Sequence, residues 1–473
     1  MRMKRIVLSF LLILVISQIK AQPLAQRLDS LLSNDPMLRT SEVGITVFDL
    51  TTGESLFQYQ DEKLYRPAST EKVVTSVTAL ATLGLDYTMD TRLQYTGKIE
   101  GDTLKGNLYL VGGFDPEFMD EDLDSLVDVI AQSGIRYIAD TLAADVSMKD
   151  SVYWGSGWSW DDVPASFQPY MSPLMLNRGC VDVTVIPTVK DSLPTVKCVP
   201  ASEFYQVDND GVSHQPEAGR LAITRNWLYN GNLIRVSGNV TKETTRTLSI
   251  YNSKDFFFHT FINRLKAKGI EAKTTAFADC PESDSLSVVT PLFTLQRPIE
   301  EVLKQMMKES DNLCAESMFY HMAMKHTQQK RVSDNDGSDA INHFIKEQLG
   351  LNPDYYNIVD GSGVSLYNYI SSRLLLEYLK YAYYHADIFQ PFYESLPIAG
   401  VDGTLEHRMK KSKAYNNVHA KTGTVTGVSA LAGYAKAPNG HQLAFAIINQ
   451  NVMKSRQARA WQDKVCDILC TSK

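Results

Sequence analysis

The chain has 473 residues, enough for two or three domains. With 44% hydrophobic and 21% charged residues it has the balance of a globular protein with a large core, not of a disordered or low-complexity chain. Its formal charge is −7, and loss of the four basic residues of the leader described next takes it to −11, which argues against nucleic acid or an anionic membrane surface as a partner.

Residues 1–21 have the form of a signal peptide. Arg2, Lys4 and Arg5 give a basic start, 6–16 is an almost wholly apolar run too short to span a bilayer, and Ala21 is a small residue at the expected cleavage point. No later segment reaches membrane-spanning length, so the mature chain is expected to be exported and soluble, in the periplasm or cell envelope. Six cysteines are compatible with that compartment. Cys180 and Cys198 are close enough in sequence to close a short loop, whereas Cys466 and Cys470, four apart on an expected helix, have poor disulfide geometry. His321 and His326 fall on different helix faces, no spacing of Cys or His fits zinc, and no cofactor is expected.

Leu24, Leu28, Leu31 and Leu32 recur at helical spacing. Residues 43–49 and 55–59 alternate about a turn at Thr52-Gly53, which predicts a hairpin. A helix is predicted through Val73, Val77, Leu80 and Leu83, with Gly84 as its stop. From 87 to 291 the pattern changes to short strands, turns and loops, among them 91–95, 108–111 and 233–238, with a tryptophan-rich loop at Trp154, Trp158 and Trp160. Helical patterning returns at 299–307 and 313–324. Strands at 429–435 and 442–448 flank a turn at Pro438-Asn439-Gly440, and a last helix carries Trp461, Val465, Ile468 and Leu469. The two ends thus share one style and the middle has another. The economical reading is an α+β domain in two parts, 22–86 and 292–473, split by a β-rich insertion at 87–291.

Three short stretches carry chemistry: Ser69-Thr70-Glu71-Lys72, Ser310-Asp311-Asn312 and Lys421-Thr422-Gly423. Ser69 stands at the first turn of a predicted helix, where free N–H groups and the helix dipole favour negative charge. Lys72 lies one turn on, on the same face, where a desolvated amine can take a hydroxyl proton. Ser310 and Asn312 sit between two helices, placed to present a hydroxyl and an amide. Lys421 opens a strand; Gly423 would let a substrate backbone approach, Thr424 N–H could face an oxyanion together with Ser69 N–H, and Lys421 with the Thr422 and Thr424 hydroxyls suits a carboxylate. Each stretch alone matches an ordinary helix cap, loop or strand start. The three in this order make the signature of penicillin-interacting serine enzymes. The spacing is uneven: 241 positions separate Ser69 from Ser310 and 111 separate Ser310 from Lys421, so the extra length lies between the first two stretches.

Further blocks extend the match: 66–70 (Arg-Pro-Ala-Ser-Thr), 360–365 (Asp-Gly-Ser-Gly-Val-Ser), 396–400 with 402–404, and 420–427 running on to 431–434. With these the chain resembles the low-molecular-mass, class C penicillin-binding proteins, the D-alanyl-D-alanine carboxypeptidases of the penicillin-binding protein 4 type. The resemblance implies a penicillin-binding transpeptidase-like (serine β-lactamase-like) domain of antiparallel sheet and helices, with two small domains nested between the first two motifs. It implies Ser69, Lys72, Ser310, Asn312 and Lys421 as catalytic residues and Thr422, Gly423, Thr424 and Asp311 as substrate or oxyanion contacts. It also implies peptidoglycan stem peptides as substrates and β-lactam antibiotics as covalent inhibitors, with D,D-endopeptidase activity beside the carboxypeptidase. The chain departs from the family pattern at Phe114, where a third Gly is usual, at Leu366, where Arg is more common, and at His419. Two other readings use the same motifs, a β-lactamase and an inactive scaffold or binding protein. The first is disfavoured by the large insertion and the second by the intact motif residues.

Overall fold

A computed structural model describes residues 23–282 and 288–472. The expected signal peptide lies outside them. Helix α1 (Leu24–Asn34) leads into strands β1 (Glu42–Asp49) and β2 (Glu54–Tyr59), and α2 (Glu71–Leu83) follows and ends at Gly84, whose φ of 84° favours glycine. Beyond the long middle segment come α3 (Ile299–Lys308), α4 (Asn312–Thr327) and further helices that include Ser372–Tyr384. The chain closes with β3 (His419–Val425), β4 (Gly427–Lys436), β5 (Gln442–Val452) and α5 (Ser455–Thr471).

The five strands form one antiparallel sheet in the order β3-β4-β5-β1-β2. Its central strands read as continuous apolar runs because both faces are covered. Leu431, Phe445 and Ile447 point to one face and pack with Ile45, Val47, Trp461, Val465 and Leu469 under α5 and α1. Ala430, Ala432, Ala444 and Ala446 point to the other, where small side chains let α2, α4 and Ser372–Tyr384 sit close. β3 lies at the sheet edge. Its Ala420 N–H bonds outward to Pro397 O at 3.0 Å, so by strand alternation the Thr422 and Thr424 N–H groups face the same open edge.

In the middle segment, strands Thr88–Tyr95 and Thr290–Pro298 are antiparallel partners, with Thr88 opposite Pro298, so the chain comes from α2 and passes on to α3 side by side. They belong to a seven-stranded sheet, and two three-stranded sheets lie beyond it. This region also holds two helices that the sequence pattern did not reveal. Asp120–Gln132 buries Leu123, Leu126, Val127 and Ile130, and Asp122 closes its first turn on the Met119 N–H. Ser253–Ala267 buries Phe256, Phe257, Phe258, Phe261 and Leu265 and leaves only a narrow polar stripe of Asp255, His259, Asn263 and Lys266, so three consecutive phenylalanines blur its period. All six cysteines are free. Cys198 sits opposite Val183, three positions along its strand from Cys180, which is about 10 Å away and beyond disulfide reach.

Asp49 ties the β1–β2 turn to the neighbouring strand. One oxygen accepts from Thr51 N at 2.9 Å and Thr52 N at 3.2 Å, and the other meets His441 Nδ1 at 2.7 Å. Burial acts to raise its pKa, but His441 and the turn N–H groups together hold it below the ordinary value. A carboxylate depressed in the fold stabilises above its unfolded pKa and loses that contribution as pH falls through its folded value. Asp49→Ala should therefore lower unfolding stability by about 1.5–3 kcal/mol at neutral pH. In urea titrations the gap to wild type should narrow below about pH 3.9; a gap that stays constant would assign the loss to packing.

Candidate active site

The turn bearing Ser69 is a single 3-10 turn, Ala68–Thr70, that runs into α2. Ala68 is held at φ 47°, a left-handed conformation that is strained for a residue with a Cβ. Two glycines press on this turn. A Cβ at Gly363 would lie 2.0 Å from Ala68 O, and one at Gly423 would lie 2.7 Å from Pro67 O and 3.0 Å from Ser69 N. The room at Gly423 is thus taken by the chain's own Ser69 turn and not, as the sequence suggests, by a substrate backbone.

Lys72 is wholly buried, and its Nζ contacts three oxygens: Ser69 Oγ at 3.0 Å, Asn312 Oδ1 at 2.7 Å and the Ser362 carbonyl at 2.8 Å. Burial pulls its pKa down to about 8, against the opposing pull of Asp360, Asp311 and Glu316. Asn312 opens α4, and its Nδ2 donates to Phe167 O at 2.8 Å, which turns its acceptor oxygen towards Lys72. Asp311 caps α4 by accepting from Cys314 N at 2.9 Å, and its other oxygen lies 3.6 Å from Arg178.

Ser310 takes a φ of 62°, and Lys421 Nζ donates to its Oγ at 2.8 Å and to Thr422 O at 2.9 Å. Lys421 is as buried as Lys72; burial first, then the charge of Lys72, holds its pKa well below the usual lysine value. Thr422 Oγ1 donates to Thr404 Oγ1 at 2.8 Å, and Thr424 is exposed on the open edge of β3. A cavity of about 430 Å³ lined by Phe167, Asn177, Arg178, Ser310, Asp311 and Asn312 opens beside them. Of the nine residues singled out in the sequence, Ser310, Asp311 and Asn312 line this cavity, Lys72 and Lys421 join them through Asn312 and Ser310, and Ser69 links Lys72 to the strand of Thr422, Gly423 and Thr424.

Other parts of the site left no such signal. The Ser362 carbonyl on Lys72 is a backbone group, invisible as a residue type. Glu71 reads as an ordinary first-turn acid, yet it is fully buried, neither oxygen has a hydrogen-bond partner among the described residues, and burial with the nearby Asp360 raises its pKa well above the usual value. Glu316 accepts from Gly361 N at 3.3 Å and Ser362 N at 3.0 Å, and burial followed by Asp360 pushes its pKa up to about 8. The departures from the family pattern also have places. Phe114 takes a φ of 50°, a conformation glycine adopts without cost, while its ring is buried against Tyr320. The Leu366 carbonyl accepts from Arg66 Nε at 3.1 Å. His419 stacks on Tyr393 with ring centroids 4.2 Å apart.

Comparison with known proteins agrees with this geometry. The D-Ala-D-Ala carboxypeptidase 3 (S13) family matches residues 24–471. A D-alanyl-D-alanine carboxypeptidase of Actinomadura sp. (strain R39) is 30% identical over 448 residues, covering 90% of this chain and 80% of its own. The crystal structure of penicillin binding protein 4 from Haemophilus influenzae superposes with a TM-score of 0.79 at 26% identity, covering 92% of this chain and 97% of that one. The penicillin G-acylated Bd3459 predatory endopeptidase of Bdellovibrio bacteriovorus shares the fold, with a TM-score of 0.51 at 14% identity and coverage of 90% and 91%. With one family spanning nearly all the described residues and a serine–lysine pair at hydrogen-bond distance, the chain belongs to the D-Ala-D-Ala carboxypeptidase 3 (S13) family, serine peptidases of the penicillin-binding protein 4 type.

Proposed function

We propose that this carboxypeptidase works through an acyl-enzyme on Ser69, with Lys72 as the base. The observation that carries the reading is the set of oxygens around Lys72 Nζ. Asn312 Oδ1 and Ser362 O can only accept hydrogen bonds, so a neutral amine gives them its two N–H bonds and its lone pair is left for Ser69 Oγ–H. A lysine pKa of about 8 makes that neutral form accessible near neutrality. Ser69 then attacks the carbonyl between two D-alanines. The oxyanion faces the N–H groups of Ser69 and Thr424, which the contact at Gly423 brings together. Ser310 and Lys421 return a proton to the departing amine, D-alanine leaves, and water hydrolyses the ester. Lys421, Thr422 and Thr424 receive the terminal carboxylate.

The same steps would cut a D-alanyl cross-bridge, so D,D-endopeptidase activity on peptidoglycan belongs to the proposal, as do covalent inhibition by β-lactams and export to the cell envelope. So does the division of the chain into a catalytic domain, 22–86 with 292–473, and inserted small domains at 87–291. The pairing of Thr88–Tyr95 with Thr290–Pro298 supports that division.

Benzylpenicillin tests the chemistry directly. It should form a lasting adduct that peptide mapping places on Ser69, and Ser69→Ala should abolish it. An adduct elsewhere sinks the mechanism, absence of any adduct points to an inactive scaffold, and rapid release of hydrolysed drug points to a β-lactamase. Lys72→Arg keeps a charge but supplies no ready base, so acylation should slow by at least about a hundredfold. For the carboxylate site, Thr422→Val should lower kcat/KM on a D-Ala-D-Ala pentapeptide by about ten- to a hundredfold while thermal stability holds. Full activity with lost stability would make Thr422 a structural strand residue.

A further inference from the structure

We propose that Asp360 is a positioning residue for acylation: it holds the loop whose Ser362 carbonyl fixes Lys72, and through that carbonyl it aims the amine at Ser69. The inference rests on the reading of Lys72 as base. Asp360 is buried and accepts five hydrogen bonds. Oδ1 takes Gly363 N and Asn368 Nδ2, both at 2.7 Å; Oδ2 takes Ser365 N at 2.7 Å, Trp158 Nε1 at 2.9 Å and Ser362 Oγ at 3.3 Å. Five donors converging on two oxygens match an ionised carboxylate and nothing else of that shape. An amide in its place would turn an N–H₂ group onto two or three other donors.

What these bonds fix is one peptide unit. Glu316 holds the N–H groups of Gly361 and Ser362 from α4, and Thr75 Oγ1 donates to Gly361 O at 2.6 Å from α2. Asp360 closes the far side at Ser362 Oγ, Gly363 N and Ser365 N. The Ser362 carbonyl is left one direction, towards Lys72 Nζ. The next residue, Gly363, at φ 81°, packs on the Ala68 carbonyl, so the same loop bears on both the amine and the turn that carries its partner. Without the Ser362 acceptor one N–H of the amine is free, and four methylene groups let the lone pair swing off Ser69.

Asp360 also acts as a charge. The groups facing Lys72 are Glu71 on its own helix, Asp311, Cys314 and Glu316 at α4, Asp360 in the loop and Lys421 on β3; among the anions that favour the protonated lysine, Asp360 acts most strongly. Removing its charge should therefore shift the acid limb of the acylation profile to lower pH, because Lys72 then loses its proton more easily. A residue that merely supports the fold would slow the reaction and leave that limb in place.

The experiment is benzylpenicillin acylation by the full chain across pH, resolved into the binding constant and the acylation rate constant, for wild type, Asp360→Asn, Trp158→Phe and Lys72→Arg. For Asp360→Asn the rate constant should fall by about a hundredfold, with binding little changed and the acid limb at lower pH. Trp158→Phe removes one donor and keeps the carboxylate and the aromatic packing, so it should slow acylation about tenfold with the binding constant and the limb unmoved; if Asp360→Asn does not fold, that split between rate and binding carries the test, because a loosened fold would weaken binding as well. Wild-type acylation in Trp158→Phe, or an Asp360→Asn enzyme that is either fast or slow with an unmoved limb, overturns the proposal while a slow Lys72→Arg leaves the base assignment standing. Wild-type acylation in Lys72→Arg removes the base and the proposal with it.

Discussion

Everything at this site depends on keeping one amine dry and aimed. A lysine Nζ with no exposed surface has lost its hydration, and only close oxygen partners make that tolerable. Its three partners come from three places: Ser69 from the turn before α2, Asn312 from the first residue of α4, and Ser362 from a loop between helices. For them to meet, the start of α2 must be squeezed between β3 and the 360–365 loop. Gly363 and Gly423 are the two points where backbone touches backbone, and a methyl group at either would collide with main-chain atoms that cannot give way. The fold of the catalytic part can be read outward from that contact.

The same burial concentrates charge in an apolar setting. Lys72, Lys421, Glu71, Glu316 and Asp360 all lie within the core that joins α2 and α4. Their surroundings divide them. Asp360 is surrounded by donors, the arrangement that stabilises a charge, whereas Glu71 has no hydrogen-bond partner among the described residues, and burial with the nearby Asp360 and Glu316 raises its pKa. Burial lowers the pKa of both lysines, and the charge of Lys72 lowers that of Lys421 further. A cluster of this kind is costly for stability, and it is held in place by the cores on both faces of the five-stranded sheet.

Much of this was legible in the sequence because the reactive side chains are residue types with a spacing. Ser69 and Lys72 are one helical turn apart, and the strand character of 419–425 puts Lys421 and Gly423 on one side and Thr422 and Thr424 on the other. The separate strands followed from apolar runs and turn residues, whereas their joining into one five-stranded sheet is seen only in the structure. What stayed hidden belongs to the backbone or to burial. A carbonyl ligand has no residue signature, Glu71 is buried only because α2 is enclosed on all sides, and Gly423 serves the protein's own turn. The helix at Ser253–Ala267 escaped because Phe256, Phe257 and Phe258 follow one another and widen its apolar face, which weakens the contrast that reveals a period. The short loop between Cys180 and Cys198 could not reveal that Cys198 sits opposite Val183.

The middle segment enters the chemistry through two hydrogen bonds. Each of the two carbonyl-type ligands of Lys72 is held by a residue from it: Phe167 O accepts from the Asn312 amide, and Trp158 Nε1 donates to Asp360, which fixes the Ser362 loop. Remove that segment and a buried amide donor and a buried carboxylate each lose a partner, at a cost of about 1–3 kcal/mol for each group left unsatisfied. Asn312 would then be free to flip and present N–H to Lys72 in place of oxygen, and the lone pair would no longer be directed. The long stretch between the first and second motifs thus supplies hydrogen-bond partners to the residues around Lys72. That explains why the Trp-rich loop at 154–160, which has no reactive group of its own, lies folded against the Asp-Gly-Ser-Gly turn.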